Sequence, residues 1–166
     1  MKIKCIIYEG VFDPPNINHY WLLTQTIEKL NADAIVVVAN DISTIKLCNK
    51  PNASSENKRL IWSKKAFKDI TTNVIISPKD CIYTVDLIQN IKNNINFSNY
   101  KEWFYLQGPD RNINTYKDSK KIKKMVKIIS DNVVDFRSSL IRNRLKENKH
   151  INGLLAPNLT IEDIRN

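Results

Sequence analysis

Glycine is scarce in this chain of 166 residues: only Gly10, Gly108 and Gly153 are present. A sequence that avoids glycine is expected to keep it where the backbone needs a positive φ or a close approach. Gly10 and Gly108 each follow an apolar run, as turns facing a ligand do, and Gly153 is expected to end a helix. The three cysteines, Cys5, Cys48 and Cys81, are far apart and form no Cys-x-x-Cys pair. That excludes a disulfide framework and the usual zinc spacings, and makes a reducing cytoplasm the expected compartment. No apolar run approaches the roughly 20 residues of a membrane helix, and nothing at the start reads as a signal peptide. Histidine is limited to His19 and His150. No repeat or low-complexity tract divides the chain, so residues 1–166 are expected to form a single domain.

Charge is plentiful and one-sided. Twenty-six Lys and Arg against 17 Asp and Glu give a formal net charge of +9, which favours anionic partners such as nucleotides. Residues 117–127 carry six lysines. No aromatic residues interleave them, so they read as a solvated helix face rather than a nucleic-acid surface.

Apolar runs at 2–8, 34–39, 73–77 and 102–107 read as strands, with a fifth at 127–129 or 132–134. Helical spacing appears at 20–30, 57–69, 84–93, through the lysine-rich segment, at 138–146 and at 159–164; residues 40–56 read as a polar loop. The alternation predicts an α/β fold: a parallel sheet of about five strands built from βαβ units, with helices on both faces. Residues 7–19 pack a glycine, a Phe-Asp-Pro turn and a histidine into the first strand-to-helix junction. In an open α/β sheet, nucleotide phosphates bind there.

Gly10-Val-Phe-Asp-Pro-Pro-Asn-Ile-Asn-His19 resembles the G-x-F-D/N-P-x-H/T-x-G-H signature of the nucleotidylyltransferase superfamily. Phe136-Arg-Ser-Ser-Leu-Ile-Arg142 is similar to its second signature, I-S-S-T/S-x-I/V-R. Tyr83-Thr-Val-Asp86, Tyr105-Leu-Gln-Gly-Pro-Asp110 and Asn152-Gly-Leu-Leu-Ala-Pro157 resemble segments of the nicotinate and nicotinamide mononucleotide adenylyltransferases. The resemblance covers nearly the whole chain. It implies a Rossmann-like fold, with a parallel sheet of about five strands and helices on both faces, and transfer of AMP from ATP to a pyridine mononucleotide, giving the dinucleotide and pyrophosphate in NAD biosynthesis, with Mg2+ accompanying ATP.

The resemblance also assigns residues. His19, Lys46 and Arg142 would be catalytic, through contact with the reacting phosphates. ATP would be bound by Gly10, Val11, Phe12, Asn16, His19, Gly108, Asp110, Arg137, Ser138, Ser139 and Arg142. The acceptor nucleotide would meet Asn40, Lys46, Arg59, Thr84 and Tyr116. No residue is assigned to a dedicated metal site. The nucleophile is a phosphate, anionic at neutral pH, so the chemistry needs positioning and charge neutralisation rather than a general base.

The chain departs from the pattern at four positions. Asn16 stands for a histidine, Asn18 for a glycine, Glu9 for a small residue and Arg137 for a serine. Phosphopantetheine adenylyltransferases also keep only the second histidine, so that activity is an alternative. A nucleotide-binding module of the same fold without turnover is another.

Overall fold

The computed structural model describes residues 2–70, 73–108, 111–130 and 138–165. Five strands, β1 (Lys4–Gly10), β2 (Asp33–Val38), β3 (Asn73–Ile76), β4 (Glu102–Gln107) and β5 (Lys127–Ser130), form one parallel sheet in the order β3-β2-β1-β4-β5. Seven α-helices are described: α1 (Ile17–Leu30), α2 (Asp41–Lys46), α3 (Glu56–Ala66), α4 (Thr84–Lys92), α5 (Ser119–Met125), α6 (Ser138–Lys146) and α7 (Ile161–Arg165). Of the two candidates for the fifth strand, 127–129 lies in β5; 132–134 lies outside the described residues.

The sheet separates two cores, and strand alternation assigns the residues to each. Ile6 and Tyr8 of β1, Val36 and Val38 of β2, and Phe104 and Leu106 of β4 face Leu22, Leu23, Trp62, Phe67 and Ile141 of the first layer. Cys5 and Ile7, Ile35 and Val37, and Trp103 and Tyr105 face Leu87, Ile88, Ile91 and Ile122 of the second. β2 is buried on both sides, as its β-branched run predicts. Each such side chain contributes about 1.5–3 kcal/mol on burial, and truncating Leu22 or Leu87 to Ala would cost about 2–5 kcal/mol.

Several boundaries differ from the sequence expectation. α1 begins at Ile17, three residues early, because Asn16 caps it; His19 therefore lies within the first turn. The expected polar loop at 40–56 contains α2, started by the Asn40 cap. Ser43 and Thr44 are its buried residues and Ile42 and Ile45 its exposed ones, the reverse of a hydrophobic core stripe. Gly153 is not a helix stop: α6 ends at Lys146, and Gly153 sits at φ 74° in the turn that follows.

β1 pairs with β2 on one side and β4 on the other. Chain order therefore reverses at β1, and a crevice opens between the ends of β1 and β4. This topological switch point is where ligands bind in open α/β sheets.

Candidate active site

A cavity of about 730 Å³ occupies the crevice, a volume suited to a small-molecule ligand. One wall is the loop after β1. Phe12 takes a left-handed φ of 53°, costly for a bulky residue. Its ring packs edge-on against Tyr8, His19 and Phe67, with centroids 5.3, 5.0 and 5.5 Å away. Gly10 is required by that ring: a Cβ there would lie 2.7 Å from Phe12 Cζ. The close approach expected of Gly10 is thus made to the chain itself.

Asn16 and His19 close a reciprocal cap at the start of α1. Asn16 Oδ1 accepts from the His19 N–H (3.1 Å), and the Asn16 N–H donates to His19 Nδ1 (3.0 Å). The acceptor role of Nδ1 puts the ring proton on Nε2, making that nitrogen a donor in a ring that lines the cavity. Asn16 is 1% exposed. Its Nδ2 donates to Ser138 Oγ (3.1 Å), which donates to the Pro14 carbonyl (2.6 Å). Arg142 donates to the Asp13 carbonyl and lies 3.6 Å from Asp13 Oδ2. The start of α6 is thereby tied to the first loop. The tail closes on the same loop: the Ile17 N–H donates to Leu154 O (2.9 Å) and the Ala156 N–H to Pro15 O (3.3 Å).

The opposite wall is built around Glu9, whose departure from the pattern places a carboxylate at the end of β1. Its Oε1 accepts from Thr84 Oγ1 (2.8 Å), Tyr105 OH (2.9 Å) and Arg111 Nη1 (3.3 Å), and Arg111 Nη1 also donates to Tyr116 OH (3.1 Å). Burial first, then the Glu9 charge, push the Tyr105 hydroxyl well above the ordinary tyrosine range, so it remains a donor. Burial likewise raises Tyr116, against the pull of Arg111. Burial opposes the charge on Arg111, but the oxygens of Tyr105 and Glu9 outweigh it and raise its pKa well above the usual value.

Gly10, Val11, Phe12, Asn16, His19, Thr84, Gly108, Tyr116, Ser138, Ser139 and Arg142 all line the cavity. Three expected residues do not. Lys46 is exposed at the end of α2, whereas Lys50 reaches the cavity wall. Asn40 caps α2 through Ser43 N–H (2.8 Å), and its Nδ2 donates to Ser77 Oγ (3.0 Å) and the Pro78 carbonyl (3.0 Å). Arg59 is fully buried; it donates to the Ser54, Val11 and Ala39 carbonyls at 2.7, 2.9 and 2.9 Å and pairs with Asp41 at 3.0 Å. Arg59 and Asn40 thus hold the loops in place from behind. Asp110 and Arg137 lie outside the described residues. Sequence reasoning missed Arg111 as a site residue. The available signal was Glu9, since a buried acid at a strand end needs a cation.

Among the described residues no group of three or more His, Cys, Asp or Glu side chains could hold a metal ion, and no helix is long and apolar enough to cross a membrane. Asp13 is 4% exposed, and its Oδ1 has no hydrogen-bond partner among the described residues.

The model of the cytidylyltransferase-like family matches residues 7–155. A Campylobacter jejuni protein named "Probable nicotinate-nucleotide adenylyltransferase" is 24% identical over 157 residues, covering 90% of this chain and 82% of its own. A Fusobacterium nucleatum protein of the same name is 25% identical over 155 residues, with 90% and 78% covered. Among solved structures, Plasmodium falciparum nicotinic acid mononucleotide adenylyltransferase complexed with APC has the same fold, with a TM-score of 0.68, 18% identity, and 99% and 95% of the two chains covered.

Proposed function

The chain belongs to the cytidylyltransferase-like family, and from that premise we propose that it transfers AMP from ATP to a pyridine mononucleotide, releasing pyrophosphate. The observation that carries this reading is the joining of the two distant motifs at the β1/β4 crevice. His19, Ser139 and Arg142 share one cavity there, beside the starts of α1 and α6. The names of the Campylobacter and Fusobacterium relatives support an adenylyltransferase of NAD synthesis.

The motif wall suits the triphosphate. Helix N-termini favour anions, His19 Nε2–H is a donor, and Arg142 supplies a planar cation. A 5′-phosphate oxygen of the mononucleotide attacks the α-phosphorus of ATP. The new P–O bond forms as the bond from that phosphorus to the bridging oxygen breaks, and pyrophosphate leaves. No proton needs to be removed from the nucleophile. His19 and Arg142 hold the phosphates in line and offset charge as it moves to the leaving group. The Glu9 wall, with Thr84 and Tyr116, receives the acceptor's base.

Magnesium bound to ATP would neutralise phosphate charge. Asp13, a carboxylate in the cavity lining whose buried Oδ1 has no hydrogen-bond partner among the described residues, is the residue that would turn toward such an ion. Mass identification of a dinucleotide formed from ATP and a pyridine mononucleotide tests the reading; ATP hydrolysis without a dinucleotide would contradict it.

A further inference from the structure

Glu9 and Arg111 form a buried pair in the cavity wall whose hydrogen-bonding capacity is only half used. All three donors to Glu9 converge on Oε1, and among the described residues no donor meets Oε2. Arg111 uses Nη1 for both Glu9 and Tyr116, and among the described residues no acceptor meets Nη2 or Nε. Both side chains are largely buried, at 7% and 15% exposure, and both residues line the cavity. The wall therefore presents one open acceptor beside open donors to whatever fills the cavity.

Resting on the reading above, we infer that Glu9 and Arg111 determine specificity by recognising a primary carboxamide, so that the acceptor is the amide form of the pyridine mononucleotide rather than the acid. A carboxamide matches both partners. Its carbonyl accepts from the Arg111 guanidinium, and its NH2 donates to Glu9 Oε2. A carboxylate can use only the guanidinium side. It would bring a second negative charge beside the Glu9 carboxylate, and it has no hydrogen for Oε2. Arg111 does not cancel this penalty, because it is already paired with Glu9, and an added anion leaves the group with net negative charge. Tyr105 of β4 and Thr84 of α4 fix the geometry, since both hydroxyls donate to Oε1. Mismatched polar groups in a buried site discriminate more strongly than shape does. The preference departs from the nicotinate named in the relatives, and it originates at Glu9, where the family pattern has a small residue.

The test is calorimetric binding of nicotinamide and nicotinate mononucleotides, with a non-hydrolysable ATP analogue present, to the full chain and to Glu9→Gln. The chain should bind the amide at least tenfold more tightly than the acid. Glu9→Gln keeps an oxygen for Thr84 and Tyr105, removes the charge and can offer N–H to the acid; it should reduce the amide-to-acid ratio at least tenfold. Equal binding or an acid preference in the unaltered chain would overturn the inference, as would an unchanged ratio in Glu9→Gln. Acid preference with turnover leaves the adenylyltransferase reading standing, whereas failure of both mononucleotides to bind removes that reading and this one together.

Discussion

Asn16 and Ser138, 122 positions apart in sequence, are joined by a 3.1 Å hydrogen bond. The same asparagine caps α1 and places His19 in the first turn. One buried side chain therefore sets the start of α1 against the start of α6, which carries Arg142. Asn16 stands where the family pattern often has a histidine, and the structure gives it a positioning role.

His19→Ala should reduce turnover by roughly 10²–10³-fold, the loss expected when one donor to a charged transition state is removed. Its cost in stability should be only about 1 kcal/mol, because the Asn16 cap on residue 19's backbone survives. Steady-state rates and thermal unfolding measured on the same preparation check both parts.

Arg142→Ala should raise KM for ATP more than KM for the acceptor, since its guanidinium lies on the motif wall beside Asp13. Initial rates with each substrate varied in turn decide this. The reverse pattern would place the triphosphate elsewhere in the cavity.

Gly10→Ala should destabilise the fold by about 1–3 kcal/mol, because a Cβ 2.7 Å from Phe12 Cζ forces the ring out of its packing. The effect should depend on Phe12. In a Phe12→Leu background, the added methyl should cost at least about 0.5 kcal/mol less, the smallest coupling expected between residues in contact. Urea denaturation of the four proteins of this cycle measures that coupling.

Alkaline pH should weaken the fold in part through Cys5. Burial first, then Asp33, push its thiol up to about 12 from an ordinary value of 9.0. The folded chain thus keeps a proton that the unfolded chain loses. Stability is fully present below pH 9.0 and falls as pH rises from there toward about 12. Cys5→Ala should flatten that limb of the stability profile, measured by denaturant midpoints across the range.

Much of this architecture is legible in the sequence. The β2 run from Ala34 to Val38 is continuous because both faces of the strand are covered. The two motifs mark the crevice because their spacing sets loop and cap geometry. Direction and burial are harder to read. Lys46 and Arg59 sit close to the site in sequence, yet one points to solvent and the other is buried behind the loops, fully engaged with carbonyls and Asp41. Local pattern places a residue but does not say which way its side chain turns. α2 was hidden because its buried face is Ser and Thr, held by hydrogen bonds rather than by an apolar stripe. The Glu9–Arg111 pair was hidden because its members are 102 positions apart, and each taken alone reads as an isolated charge.

Pyrophosphate release from ATP and magnesium, with nicotinamide or nicotinate mononucleotide as acceptor, tests the central claim most directly. Release that requires a pyridine mononucleotide, equals the dinucleotide formed and falls in His19→Ala is the predicted result. ATP binding without pyrophosphate from either acceptor, or release with phosphopantetheine alone, would contradict the assignment.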